Sequence, residues 1–218
     1  MKTFVRDHLF APSPVELEDP VVLRNLSEPA PGKLLMDGFQ RGINALTVHE
    51  SGSTRVEDWL RLKETRPFRT EPRPFQYSNK SVFSRTVGEP RAGGFELEFA
   101  AFLDSEGNNV QSHAKNYLAV GFALDYVKSN GEISSDIPDF IVRDVHGTVW
   151  IVEAKGRVDI DVPRKMARLK QWCLDATAAS ADADAVTYRF VFVDEGGFKQ
   201  HQPARMADLA ASFTEYQD

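Results

Sequence analysis

The chain has 218 residues, 42% of them hydrophobic, with a formal net charge of −6 and a pI near 5.4. That length supports one sizeable core with a small appended region. No run approaches the ~18 apolar residues of a membrane span, and the acidic balance argues against indiscriminate nucleic-acid binding while leaving room for a local basic track. The opening MKTFVRDHLFAPSP lacks the apolar stretch of a secretory signal, and the single cysteine, Cys173, excludes an internal disulfide and a cysteine-rich zinc site. A cytoplasmic location with no membrane association is the expectation.

Nine of the twelve prolines fall in residues 1–92, among turn signals such as APSP, SEPAPG and RTEPRP. Residues 1–55 read as an extended, loosely packed arm with short elements, of which VVLRNL suits docking, and VEDWLRLKE (56–64) as a short helix. Residues 59–92 carry Arg61, Lys63, Arg66, Arg69, Arg73, Lys80, Arg85 and Arg91 against Glu64, Glu71 and Glu89, a local excess of positive charge. Two readings stay open there: a solvated linker, or a phosphate-contacting strip with Phe68, Phe75 and Tyr77 interleaved.

From residue 93 the texture becomes that of a folded domain, which places a boundary between a proline-rich arm (1–92) and a domain (93–218). GGFELEFAAFLDSEG reads as a helix opened by Gly93-Gly94 and closed by Gly107. NVQSHAKN and GFALDYVK read as short strands, and PDFIVRD and TVWIVEAK as a hairpin around His146-Gly147. DVPRKMARLKQWCLDATAAS is a helix with Asp161 at its N-cap, Pro163 in its first turn, and an apolar stripe of Val162, Met166, Leu169, Cys173 and Ala176. Asp182 and Asp184 mark the following loop, AVTYRFVFVD is a further strand, and residues 200–215 a last helix. The order predicts an α/β layered fold with a mixed central sheet flanked by helices. No phosphate loop of the GxxxxGK[ST] type is present, so the chain shows no motor of its own.

Three residues sit oddly at the edges of the most apolar hairpin: Asp139, Glu153 and Lys155. Glu153 and Lys155 are two apart on a strand and share a face. A two-residue loop would pair Asp139 with Ala154 and put it on the wrong face. A loop shifted by one residue, with Gly147 in a left-handed bulge, pairs Asp139 with Glu153 and brings both carboxylates and the ammonium together. Two carboxylates about 4–6 Å apart repel unless protonated, paired or bridged by a cation. An oxygen set of Asp139, Glu153 and the Ala154 carbonyl suits Mg²⁺ or Mn²⁺. A water on such an ion is a nucleophile against phosphate, and Lys155 can orient it, help deprotonate it or stabilise the transition state.

Around this segment, residues 155–170 carry Lys155, Arg157, Arg164, Lys165, Arg168 and Lys170 against Asp159 and Asp161. Arg157 and Lys165 are the expected phosphate contacts, Lys165 because it precedes Met166 on the stripe and can lean over the site; a solvated helix face is the alternative. The five histidines show no metal-ligand spacing: His146 is a turn residue and His113 a strand residue. Trp150, Trp172 and Cys173 read as packing residues.

The pattern PDF–x12–EAK resembles the PD-(D/E)XK nuclease signature. With FELEFAAFLD, AKN, LDYV and the lysine-bearing helix that follows, residues 93–176 resemble the C-terminal nuclease domain of type III restriction enzyme Res subunits and related helicase–nuclease defence proteins. KSVFSRTV matches the lead-in to that domain more loosely, and residues 1–60 the segment that links helicase to nuclease. The resemblance implies a restriction-endonuclease-like core and a metal-dependent DNA endonuclease of a restriction or phage-defence system. It makes Asp139 and Glu153 metal ligands and Lys155 the catalytic lysine. Glu96 becomes a third acid, with Glu98 as rival, and Lys115 and Asn116 come to lie near the phosphate backbone. It also implies DNA, a separate or missing helicase or translocase, and modification subunits as partners, and allows a homodimer. The helicase is absent from the sequence, so the chain is either a stand-alone subunit or a piece of a longer polypeptide. A nuclease-like DNA-binding or assembly module, inactive on its own, is the alternative.

Overall fold

A computed structural model describes residues 59–88, 90, 94–156, 160–180 and 185–217, together with parts of 16–42. The chain divides into two compact units, residues 1–52 and 53–218. In the first, helix α1 (Pro20–Ser27) contains the VVLRNL segment. Its N-cap Asp19 accepts a hydrogen bond from Val21 N at 2.7 Å, and Val21 and Leu23 are exposed.

The second unit is built on a four-stranded sheet of order β3-β6-β7-β8. Its strands are β3 (Val110–Lys115), β6 (Phe140–Asp144), β7 (Val149–Lys155) and β8 (Tyr188–Asp194). β3 pairs antiparallel with β6 and β6 antiparallel with β7, whereas β7 and β8 are parallel, so the sheet is mixed as predicted. The parallel pair is joined by α3 (Val162–Ser180), which supplies the crossover that a parallel connection needs. Val162, Met166, Leu169 and Cys173 of the stripe are buried against Val149, Ile151, Phe190 and Phe192 on one face of the sheet. Burial of each such aliphatic side chain contributes about 1.5–3 kcal/mol.

The opposite face is covered by α2 (Phe95–Asp104), α4 (Glu195–His201) and α5 (Met206–Ser212). There Phe95, Phe99, Leu103, Phe198 and Leu209 pack on Phe140, Trp150, Val152 and Val191. β7 is buried on both faces and therefore reads as a continuous apolar run. No helix among the described residues is long and apolar enough to cross a membrane.

Several expectations change in detail. The predicted last helix is two short ones: α4 ends at Gln202 in a left-handed conformation (φ 45°), directly before Pro203, which has no N–H with which to continue a helix. Of the predicted 56–64 helix, the described part is a short 3-10 turn at Leu62–Glu64. Three strands had no visible signal. β5 (Ile133–Asp136) pairs with β4 (Leu124–Val127) in a separate hairpin, and β1 (Phe75–Tyr77) pairs with β2 (Arg85–Val87). ISSD is too polar, and FQY and RTV too short, for alternation to show.

The second unit takes in residues 53–92 as well as 93–218. Asp104, at the end of α2, accepts from Ser78 Oγ (2.6 Å), Asn79 N (2.9 Å) and Lys80 N (2.7 Å). The Lys80 ammonium in turn caps the Ser105 carbonyl. These bonds tie the β1–β2 loop to the core.

Candidate active site

The β6–β7 turn decides where the acids go. Its loop is Val145-His146-Gly147, with Gly147 left-handed (φ 88°) and Asp144 N donating to Thr148 O at 3.0 Å. Asp144 Oδ1 accepts from His146 N and Thr148 N, and Oδ2 from Trp150 Nε1, each at 2.9 Å. Phe140 therefore faces Val152, and the same register brings Asp139 opposite Glu153. This is the shifted loop expected from the side-chain alternation. The position opposite Ala154 is Pro138, which has no N–H, so the ladder supplies no donor to the Ala154 carbonyl. Asp139 takes over the other half of that pairing: its Oδ2 accepts from Ala154 N at 2.8 Å.

Glu153 points to the α3 face, as does Ile151 two residues earlier, and is fully buried (0% exposed). Neither of its carboxylate oxygens has a hydrogen-bond donor in good geometry. The Lys155 ammonium lies 2.8 Å from its Oε1 as an ion pair. Burial pushes the Glu153 carboxyl up to about 8, reinforced by the Asp139 charge. Burial also raises Asp139, to about 6, against the pull of Lys155 and the Ala154 N–H. Burial acts to lower the Lys155 ammonium, but the combined attraction of Glu153, Asp139 and Asp136 outweighs it and holds the group above the ordinary lysine value.

Around this trio lie two more buried ion pairs. On α2, Glu96 is buried and joined to Lys115 at the end of β3, while Glu98 faces outward, 3.9 Å from Lys199. Of the two rivals, Glu96 is thus the inward acid; its charge and that of Lys115 both act on Asp139. On the other side, Lys165 lies 3.5 Å from Asp136 and over the Tyr126 ring, as expected for a residue leaning in from the first turn of α3. Asp136 was not anticipated. It ends the polar strand β5, three residues before Asp139, and its charge acts on both Glu153 and Lys155. The SSDIPDF run held that acid in plain view, but nothing local shows that a second hairpin folds it over the site.

Asn116 is 5% exposed and donates to Phe122 O and Pro138 O, both at 2.9 Å, while its N–H donates to Asp139 O at 2.8 Å. It braces the Pro138-Asp139 turn. Lys115, also 5% exposed, is held by Glu96. Both lie under the site rather than on its surface. Arg157 lies outside the described residues. Cys173 packs within the α3 stripe, its thiol pushed up to about 12 by burial, and Trp150 is buried. His113 is a buried strand residue.

The cluster thus contains four carboxyl groups (Glu96, Asp136, Asp139, Glu153) and three ammonium groups (Lys115, Lys155, Lys165), one negative charge in excess if all ionise. A buried excess charge is costly, so the site takes up either a proton, on Glu153, or a cation. Asp139 and Glu153, with the Ala154 carbonyl, form an oxygen set that fits a hard divalent ion, and the donor-free Oε2 of the buried Glu153 is the observation behind that fit. Among the described residues, no three His, Cys, Asp or Glu side chains are gathered closely enough to hold a metal by themselves. Such an ion would therefore keep waters in its remaining positions. No protein-family model, curated protein or solved structure matches the chain.

Proposed function

We propose that the chain is a metal-dependent nuclease that hydrolyses DNA phosphodiesters, with Asp139, Glu153 and Lys155 as its working residues. One observation carries the reading: Glu153 is fully buried, its Oε2 has no donor and its Oε1 meets only the Lys155 ammonium, and it lies beside a second carboxyl at the end of a buried strand. A structural carboxylate in such a place would be hydrogen-bonded or replaced by an apolar residue. The PDF–x12–EAK resemblance supports the same chemistry and is the ground for a restriction-type defence setting with a helicase partner.

Asp139 and Glu153, with the Ala154 carbonyl, would hold the divalent ion. When bound, the ion supplies positive charge at the phosphate and lowers the pKa of a coordinated water. Lys155 works by charge. Held above its ordinary value by Glu153, Asp139 and Asp136, it is an ammonium at neutral pH. It donates toward the attacking water and the phosphoryl oxygens as negative charge builds on them, rather than removing a proton. The water oxygen bonds to phosphorus as the bond from phosphorus to one ester oxygen breaks; the water gives up a proton to solvent and the leaving oxygen takes one up, giving a phosphomonoester and an alcohol. Glu96 acts through Lys115, and Asp136 through Lys165, to keep the trio in place.

Calorimetric titration with Mg²⁺ or Mn²⁺, paired with plasmid incubation, tests the reading. Binding and nicking that both vanish in Asp139→Ala are expected. Nicking retained by the pure variant would sink the assignment. The capture of Glu96 by Lys115 favours a second reading, a nuclease-like DNA-binding or assembly module. DNA binding without metal uptake or cleavage would select it.

A further inference from the structure

Residues 62, 63 and 65–70 form one wall of a cleft of about 630 Å³, and residues 82–85 and 87 with Tyr117 form the other. Lys63, Arg66, Arg69 and Arg85 line it, and no Asp or Glu does. The arginines just beyond its ends are compensated: Arg61 lies 3.3 Å from Glu64, and Arg73 3.5 Å from Glu71. Lys63, Arg66 and Arg69 have no ion pair among the described residues, and Arg85 stacks over Phe75 at 5.2 Å. The positive charge is therefore concentrated where nothing in the described chain neutralises it.

Aromatic rings line the same space. Phe68 and Tyr117 have ring centroids 5.0 Å apart, Phe83 and Tyr117 5.6 Å, and Phe68 and Phe83 6.1 Å. Phe68 is 38% exposed. This set is not the expected one. Phe75 and Tyr77 pack edge-to-face on each other outside the cleft, and Tyr117, distant in sequence, takes their place.

Cations that lack acids call for phosphate. An exposed ring, Phe68, beside the half-buried Phe83 and Tyr117 calls for bases that are not already stacked and paired. A cleft of this volume is in the small-ligand range, about 300–1,000 Å³, which suits one or two splayed nucleotides. Its position adds a direction. Tyr117 follows Asn116, which is hydrogen-bonded to Asp139 O, and Tyr117 N donates to Lys115 O at 3.1 Å. An aromatic of the cleft is thus the chain neighbour of the residue that braces the acid pair.

We propose that this cleft binds an unpaired DNA strand, bases against Phe68, Phe83 and Tyr117 and phosphates on Lys63, Arg66, Arg69 and Arg85, and leads the adjoining phosphodiester to Asp139, Glu153 and Lys155. Only the delivery step rests on the nuclease reading; the binding does not. The substrate it implies is frayed, flapped or otherwise unpaired DNA rather than a closed duplex.

Fluorescence anisotropy of the full chain in EDTA, with a labelled 12-nucleotide dT strand and a duplex of equal length, tests this directly. The single strand should bind at least tenfold more tightly, with a log–log salt slope of roughly −2 for the three phosphates that flank two nucleotides. Arg66→Ala/Arg69→Ala should weaken it tenfold or more and make the slope shallower by about 1.4, and Arg66→Lys/Arg69→Lys should restore the slope. Phe68→Ala should weaken binding about tenfold with the slope unchanged. Equal affinity for strand and duplex, or variants that bind like the parent, would overturn the proposal. The two readings fail separately. Strand binding without cleavage in Mg²⁺ or Mn²⁺ leaves the cleft standing and removes the nuclease. Metal-dependent nicking with unaltered binding in the Arg66/Arg69 variant does the reverse.

Discussion

The acid cluster at the end of β7 and the basic cleft around Phe68 handle charge in opposite ways. In the first, each lysine has a carboxylate partner and the groups are buried or half-buried, leaving an excess of one negative charge if all ionise. In the second, four cations stand together at the surface with no acid among them. The difference follows from solvation. Water screens the repulsion among exposed cations to about 1 kcal/mol per close pair, whereas an uncompensated buried charge costs several kcal/mol. A buried site can therefore depart from neutrality only slightly, and on the proposed reading that small departure is what would attract a cation. The exposed cleft can keep a large unbalanced charge available for a polyanion.

The largest effect that would sharpen this contrast is on catalysis. Lys155→Ala or Glu153→Gln should lower plasmid nicking at least a hundredfold. If Lys155→Ala nicked at the parental rate in a steady-state assay, charge stabilisation by that ammonium would be excluded.

The next concerns pH. Glu153 and Asp139 are raised in the folded chain, to about 8 and about 6. The folded state then holds protons that the unfolded chain releases near the ordinary carboxylate range of about 4. Their contribution is fully present below about pH 4 and is lost as pH rises through about 8. Lys155 does not reverse this, because its raised value lies above that window. Metal-free protein should therefore lose a few kcal/mol of stability between pH 5 and pH 8.5 in urea melts. Glu153→Gln should flatten most of that slope, and added Mn²⁺ should counter it. A stability that rises over the interval in the absence of metal would contradict the buried-proton account.

A smaller effect is expected at the brace. Asn116→Ala removes donors from Phe122 O and Pro138 O and should cost about 1–3 kcal/mol. Because the brace holds Asp139, cation affinity should fall with it; an unchanged titration curve would separate Asn116 from the site. The smallest effect is in the cleft. Arg66→Ala and Arg69→Ala should each change the melting free energy by no more than about 0.5 kcal/mol. A larger loss would mean that these arginines hold the fold together and are not free for a ligand.

How much of this was legible beforehand depends on distance along the chain. The hairpin register was readable because its causes are local: Gly147 supplies the left-handed loop residue, and the alternation of Val152, Glu153 and Ala154 defines the faces. The α3 stripe was readable for the same reason, since helical spacing alone puts Val162, Met166, Leu169 and Cys173 on one side. The split of the last helix was also local and was missed, although Pro203 marks it. By contrast, the boundary near residue 93 came from a change in composition. The hydrogen bonds from residues 78–80 to Asp104 override it, and no periodicity announces them.

By itself, then, the sequence determined which residue types meet at the end of the central hairpin and on which face, because strand alternation and a glycine turn are properties of consecutive residues. Only the tertiary structure decided what surrounds them. Lys115 reaches Glu96 across 19 positions and Lys165 reaches Asp136 across 29, and Tyr117 joins Phe68 and Phe83. Such partners are chosen by how α2, the β4–β5 hairpin and the 62–87 segment pack on the sheet. Burial, and with it the charge balance of the site, is a property of that packing and not of any short stretch of chain.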